Sequence, residues 1–228
     1  MKFQTNTEYV NGIPFHTTHL ITNNKTIGAM ILFPEAFGLS GHIKDVACRF
    51  AAMGFKVYTF PIYLQFNQNV LFSIEPKEKT IRLDLINKMD IDFYKQVFHK
   101  ISPYFDKYST LFSIGFSLGG YFSILSSNYI NYKKLVALYP NPTTNNKNHP
   151  NFENIDLFLY RMPKSLMFFG LRDHSIPKEE IDSFRKDNIK VVSFEDCQHG
   201  YFCNSRHTYS KEAAKETFNL IKEFLSNE

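Results

Sequence analysis

The sequence predicts an α/β domain with a mostly parallel central sheet and helices on both faces. Three observations predict it. Apolar runs of strand length recur along the 228 residues, and several lack alternation, as strands buried on both faces do. Segments of helical periodicity fall between those runs. Turn-forming residues separate the two kinds of segment at short intervals. With 43% hydrophobic and 21% charged residues, the composition is that of an ordinary globular chain, long enough to bury a full core. We expect one domain over residues 1–228.

Tyr9 to Ile21 reads as two short β pieces around Asn11-Gly12, a hairpin turn pair. Ile27 to Pro34 is a continuous apolar run, hence a buried strand. Ile43, Val46, Ala47, Phe50 and Ala51 share one helical face, and Gly54 closes that helix. Phe55 to Pro61 is the next strand. Glu78 to Ile101 is helical with a break near Asp90, where the apolar stripe resets. Leu111 to Phe116 is a strand that leads through Ser117 into a helix over Gly119 to Ser127. Leu135 to Tyr139 follows as a strand, then a polar connector from Asn141 to Asn154. Ser165 to Gly170 is a strand, and Lys178 to Asp187 a helix with Pro177 in place for its first turn. Ile189 to Phe194 is the last strand. Ser210 caps the final helix, whose buried stripe is Ala214, Thr217, Phe218, Ile221 and Leu225.

Several function classes are disfavoured at this level. The net charge of +4 is spread along the chain, so no nucleic-acid footprint is expected. Three cysteines, with no CxxC pair, argue against a disulfide framework. The first residues are polar, and no run nears the roughly 18 apolar residues of a membrane span. We therefore expect a cytoplasmic protein without a membrane role.

The chemistry is concentrated in three places. Gly115-Phe116-Ser117-Leu118-Gly119 fits G-x-S-x-G between a strand and a helix, the setting of a nucleophile elbow. There the serine stands on a tight turn, and the helix N-terminus favours a developing oxyanion. A capping serine at a glycine-rich junction is the bland alternative. A serine hydroxyl needs a base, and His199, just after the last strand, is the best placed of eight histidines. His207 and His174 are competitors. The base needs an acid to orient it, and Asp173 follows the preceding strand, with Asp196 the alternative. The order Ser117, Asp173, His199, each after a separate strand, is that of the α/β-hydrolase fold. Cys197, His199, Cys203 and His207 have loose zinc spacing, but no companion pair follows, and no metal is expected.

The sequence resembles the dienelactone hydrolase family over most of its length. Pro34-Glu35-Ala36-Phe37-Gly38 is similar to that family's loop after the third strand, and Phe60-Pro61-Ile62-Tyr63 to its P-x-L-Y strand end. Gly115 to Gly120 occupies the nucleophile position. Gly170 to Pro177 is similar to the acid loop G-x-x-D-x-x-[VI]-P. His199-Gly200-Tyr201-Phe202 through Arg206, Tyr209 and Ala213-Ala214 is similar to the histidine loop and closing helix. The resemblance implies that Glu35 sits beside the nucleophile and helps control its activation. It also implies that the N–H groups of Ala36 and Leu118 form the oxyanion hole, and that a small ester or lactone is hydrolysed without metal or organic cofactor. The family's characterised members carry cysteine where this chain has Ser117, so an activation scheme built for a thiolate does not transfer unchanged. Arg82 and Arg206 are candidates to anchor a substrate carboxylate. The expected reaction is acyl transfer to water by a monomer or weak homodimer. A thioesterase, peptidase or lipase on the same fold, or a non-catalytic member that binds a ligand or protein, are the alternatives.

Overall fold

The structure, a computed structural model, describes residues 1–22, 26–66, 71–73, 76–141 and 152–227. The chain opens with a hairpin. Asn11 and Gly12 take φ of 49° and 84°, the left-handed pair of a type I′ turn, and join β1 (Phe3–Val10) to β2 (Ile13–Leu20). β1 starts well before Tyr9, where the sequence reading begins it. Its residues Gln4 to Thr7 are exposed, so the edge strand carries little of the apolar signal that reveals a strand.

The remaining elements alternate. β3 (Gly28–Phe33) is followed by α1 (Gly41–Ala52), and β4 (Phe55–Thr59) by α2 (Pro76–Asn87) and α3 (Ile91–Phe105). β5 (Leu111–Phe116) leads into α4 (Leu118–Ser126). β6 (Lys134–Leu138) precedes α5 (Asp156–Leu159), β7 (Lys164–Gly170) precedes α6 (Lys178–Ser183), and β8 (Ile189–Phe194) precedes α7 (Lys211–Ser226). α6 ends earlier than the expected Asp187. α5 and a 3-10 turn at Leu64–Phe66 are too short to leave a periodic signal. Residues 142–151 of the expected polar connector lie outside the described residues.

Capping residues set the helix starts. Ser40 Oγ accepts from the Ile43 N–H at 3.3 Å, and Asp90 Oδ1 from the Asp92 N–H at 3.0 Å. Asp90 is thus the break between α2 and α3. Ser210 Oγ accepts from the Ala213 N–H at 3.4 Å and starts α7 as expected. Each such cap is worth about 1 kcal/mol.

The eight strands form one sheet in the order β1-β2-β4-β3-β5-β6-β7-β8. β2 runs antiparallel to β1 and to β4, and every other pair is parallel. Every residue of β3, β5 and β6 is buried, which explains their mostly apolar sequences; Ser113 meets Ser123 by a hydrogen bond of 2.7 Å, and Lys134 donates to Phe224 O at 2.7 Å. On one face Phe50 of α1 meets Phe218 of α7, ring centroids 5.7 Å apart. On the other, Tyr94 of α3 meets Phe122 of α4 at 4.6 Å, and Phe15 of β2 meets Phe105 of α3 at 6.0 Å. Each such buried ring contributes roughly 1.5–3 kcal/mol through burial alone. Among the described residues no helix is long and apolar enough to cross a membrane. The parallel strands put the carboxyl ends of β3, β5, β7 and β8 at one edge of the sheet, where open α/β sheets place their sites.

Candidate active site

Ser117 links β5 to α4 with φ 52° and ψ −120°, a backbone state that costs a residue with a side chain roughly 1–3 kcal/mol. The surroundings enforce it. The Ser117 N–H donates to Leu138 O at 3.0 Å, and its carbonyl accepts from Gly120 N at 2.8 Å and Asn141 N at 3.0 Å. The flanking glycines are required by contact. A Cβ on Gly115 would stand 2.2 Å from Gly119 O, and one on Gly119 would stand 2.2 Å from Phe33 O and 2.3 Å from Pro34 O.

The three residues expected to cooperate are brought together. Ser117 Oγ lies 2.8 Å from His199 Nε2, and His199 Nδ1 lies 2.6 Å from Asp173 Oδ2. The loops that carry acid and histidine are tied to one another, with Leu171 N donating to Phe194 O and Arg172 N to Cys197 O, both at 2.9 Å. Asp173 is buried, 6% exposed. Burial alone would raise its carboxyl, but the hydrogen bond and charge of His199, with the Ser175 hydroxyl and N–H, outweigh it and hold the group below its ordinary value. Ser175 donates to Asp173 Oδ1 from Oγ at 2.6 Å and from N at 2.9 Å. The competitors sit elsewhere: Asp196 is exposed and pairs with Arg172 at 2.5 Å, and His174 and His207 are exposed.

Glu35 and Ala36 follow β3, whose neighbour in the sheet is β5, with Phe33 opposite Gly115. The N–H groups of Ala36 and Leu118 donate to no acceptor among the described residues. Tyr63, fully buried, donates its hydroxyl to Ala36 O at 2.6 Å and fixes that loop from behind. Glu35 is 2% exposed. No hydrogen bond joins it to Ser117 among the described residues. Its Oε2 has Arg206 Nη1 at 3.6 Å, an ion pair beyond hydrogen-bond reach. Burial and the nearby Glu35 push the Cys203 thiol up to about 11, which disfavours a free thiolate at neutral pH. Arg82 and Arg206 flank the Phe37 ring, their guanidinium carbons 4.4 and 5.5 Å from its centroid. Arg82 Nη1 also donates to Ser73 O at 3.3 Å.

Sequence reasoning missed two residues here. Ser175 had a readable signal, a hydroxyl two positions after the acid, where local side-chain hydrogen bonds form. Tyr139 had none. It follows β6 with φ 37°, buries its ring 4.9 Å from that of His199, and its hydroxyl has no hydrogen bond among the described residues.

The dienelactone hydrolase family model matches residues 15–228. A Synechocystis sp. protein named "Putative carboxymethylenebutenolidase" is 24% identical over 221 residues, covering 87% of this chain and 85% of that one. The crystal structure titled "Putative Dienelactone Hydrolase" from Klebsiella pneumoniae subsp. pneumoniae is 18% identical, with a TM-score of 0.82 and all of both chains covered. A dienelactone hydrolase-like promiscuous phosphotriesterase from metagenomic libraries is 17% identical with a TM-score of 0.69, covering 99% of this chain and 97% of that one. These structural likenesses establish the α/β-hydrolase fold.

Proposed function

The chain belongs to the dienelactone hydrolase family, hydrolases of esters and lactones, and we propose that it acts as one catalytic domain with a serine nucleophile. The observation that carries this reading is the unbroken relay from Ser117 Oγ to His199 Nε2 at 2.8 Å and from His199 Nδ1 to Asp173 at 2.6 Å. Ser117 attacks the carbonyl carbon of a small ester or lactone while His199 takes its proton. Asp173 fixes the tautomer that leaves Nε2 free to accept and stabilises the imidazolium that forms. The N–H groups of Ala36 and Leu118 hold the oxyanion; losing one such donor typically costs about 10²–10³ in kcat. The alcohol, or the ring-opened oxygen of a lactone, leaves with the proton from His199. Water activated by His199 then releases the acid from Ser117.

Glu35 serves in this scheme through Arg206. A buried carboxylate 3.6 Å from a guanidinium anchors the arginine, and no hydrogen bond links Glu35 to Ser117 among the described residues. That leaves Arg82, 4.4 Å from the Phe37 ring centroid and without an ion pair among the described residues, as the freer cation for a substrate carboxylate. A cleft of about 380 Å³ beside Glu35, lined by Phe37, Leu71, Phe72 and Ser205 among others, offers room for the substrate body.

A fluorophosphonate probe tests the reading. The wild-type protein should be labelled at Ser117, and labelling should vanish in Ser117→Ala and fall strongly in His199→Ala. Folded protein that hydrolyses p-nitrophenyl acetate without labelling at Ser117 would overturn the serine mechanism. Folded protein that does neither would favour a non-catalytic ligand-binding role.

A further inference from the structure

A second cleft, of about 240 Å³, is lined by none of Ser117, Asp173 and His199. Its polar floor is a row across the sheet edge. Thr7 of β1 pairs with His16 of β2, and His16 pairs with Thr59 of β4, so the three side chains project from one face. Pro61, Ile62, Leu39 and Leu71 form apolar walls, and Lys44, an exposed residue of α1, completes the lining.

Three features point to a ligand. Thr59 is 2% exposed, yet its hydroxyl has no hydrogen-bond partner among the described residues, an arrangement that native interiors avoid. Among the described residues no aspartate or glutamate lines the cleft, and Lys44 supplies its positive charge. Burial, with Lys44 nearby, depresses the His16 imidazole below its ordinary value and keeps it uncharged at neutral pH. The site therefore offers one positive charge. That suits a monoanion; a phosphate dianion would call for a second cation. The volume falls below the roughly 300–1,000 Å³ of pockets for drug-sized ligands, which sets a small guest.

We propose that this cleft binds a small apolar monocarboxylic acid, with Lys44 meeting the carboxylate, Thr59 Oγ1 donating to it, and Leu39, Pro61, Ile62 and Leu71 enclosing the apolar body. The site is separate from the catalytic serine and does not depend on the mechanism assigned to it.

Calorimetric titration with benzoate tests the assignment, using the Ser117→Ala protein so that turnover plays no part. Benzoate should bind saturably, and neutral benzamide, of the same shape, about tenfold or more weakly. Lys44→Met should weaken benzoate binding by a similar factor, and Thr59→Val should weaken it too. Lys44 is exposed, so its variant remains informative if the buried Thr59→Val change impairs folding. Absence of saturable binding, equal affinity for benzamide, or a Lys44→Met protein that titrates like its parent would each overturn the proposal. So would benzoate affinity that falls with Arg82→Ala and is untouched by Lys44→Met, because the acid would then occupy the catalytic cleft.

Discussion

Replacing Gly119 with alanine tests how tightly the nucleophile elbow is built. The new Cβ would lie 2.2 Å from Phe33 O and 2.3 Å from Pro34 O, against a floor of 3.0 Å for such contacts. The gap must widen by about 0.8 Å, and because both obstacles are backbone, no rotamer change relieves them. Either the start of α4 lifts, carrying Ser117 and the Leu118 N–H, or the end of β3 retreats, carrying Ala36. Both displacements act on the oxyanion site. A shift near 1 Å at reacting groups can cost about 10²-fold in rate, and overpacking costs about 1–3 kcal/mol of stability. We expect kcat on p-nitrophenyl acetate to drop about 10²-fold with KM little changed, and thermal unfolding to move down by several degrees. Gly41→Ala is the control for stability, because a Cβ there meets nothing within 4 Å, and its unfolding temperature should match that of wild type. A Gly119→Ala enzyme with unchanged kcat and unchanged unfolding temperature would refute the packing argument.

Three further outcomes follow from the site. The Asp173 carboxyl is held below its ordinary value, so it contributes stability in full above its unfolded value near ~3.9 and loses it as pH falls through the lower folded value. Urea unfolding should thus show a wild-type advantage over Asp173→Asn that is flat from neutral pH down to pH 5 and shrinks only in stronger acid; a gap already closing at pH 6 would contradict this. Tyr63→Phe removes the donor to Ala36 O, a bond worth about 0.5–1.5 kcal/mol, and should lower kcat several-fold while leaving KM and fluorophosphonate labelling at Ser117 in place. Ser175→Ala removes one of two donors to Asp173 Oδ1; because water can replace an exposed hydroxyl, steady-state assays should show a loss below about tenfold, and a loss as large as that of His199→Ala would mean that Ser175 does more than position the acid.

Most of the sheet was legible because β3, β5 and β6 are buried throughout and their sequences are almost wholly apolar, with Ser113 and Lys134 the exceptions. Ser117, Asp173 and His199 were legible as candidates because each follows a separate strand, β5, β7 and β8, in the order Ser, Asp, His. β1 was only half visible, since an edge strand with exposed Gln4, Thr5, Asn6 and Thr7 looks like loop. Asp196 illustrates the limit in another way. Its closeness to His199 along the chain counted against it as the acid, while its exposed pairing with Arg172 is a matter of side-chain direction that spacing does not encode. The link from Glu35 to Arg206 joins the first parallel strand to the last loop, and the Tyr139 ring against His199 depends on a left-handed backbone at a tyrosine. Neither has a local pattern to read.

The backbone at Ser117 also bears on how such a protein changes over generations. A residue with a side chain at φ 52° gives up roughly 1–3 kcal/mol from a folding free energy that is typically only ~5–15 kcal/mol. Glycine would relieve that burden, because it has no Cβ to clash. Folding alone would therefore let position 117 drift toward glycine in a lineage that no longer needed the hydroxyl. Under the proposed serine mechanism, the side chain at that position trades stability for chemistry.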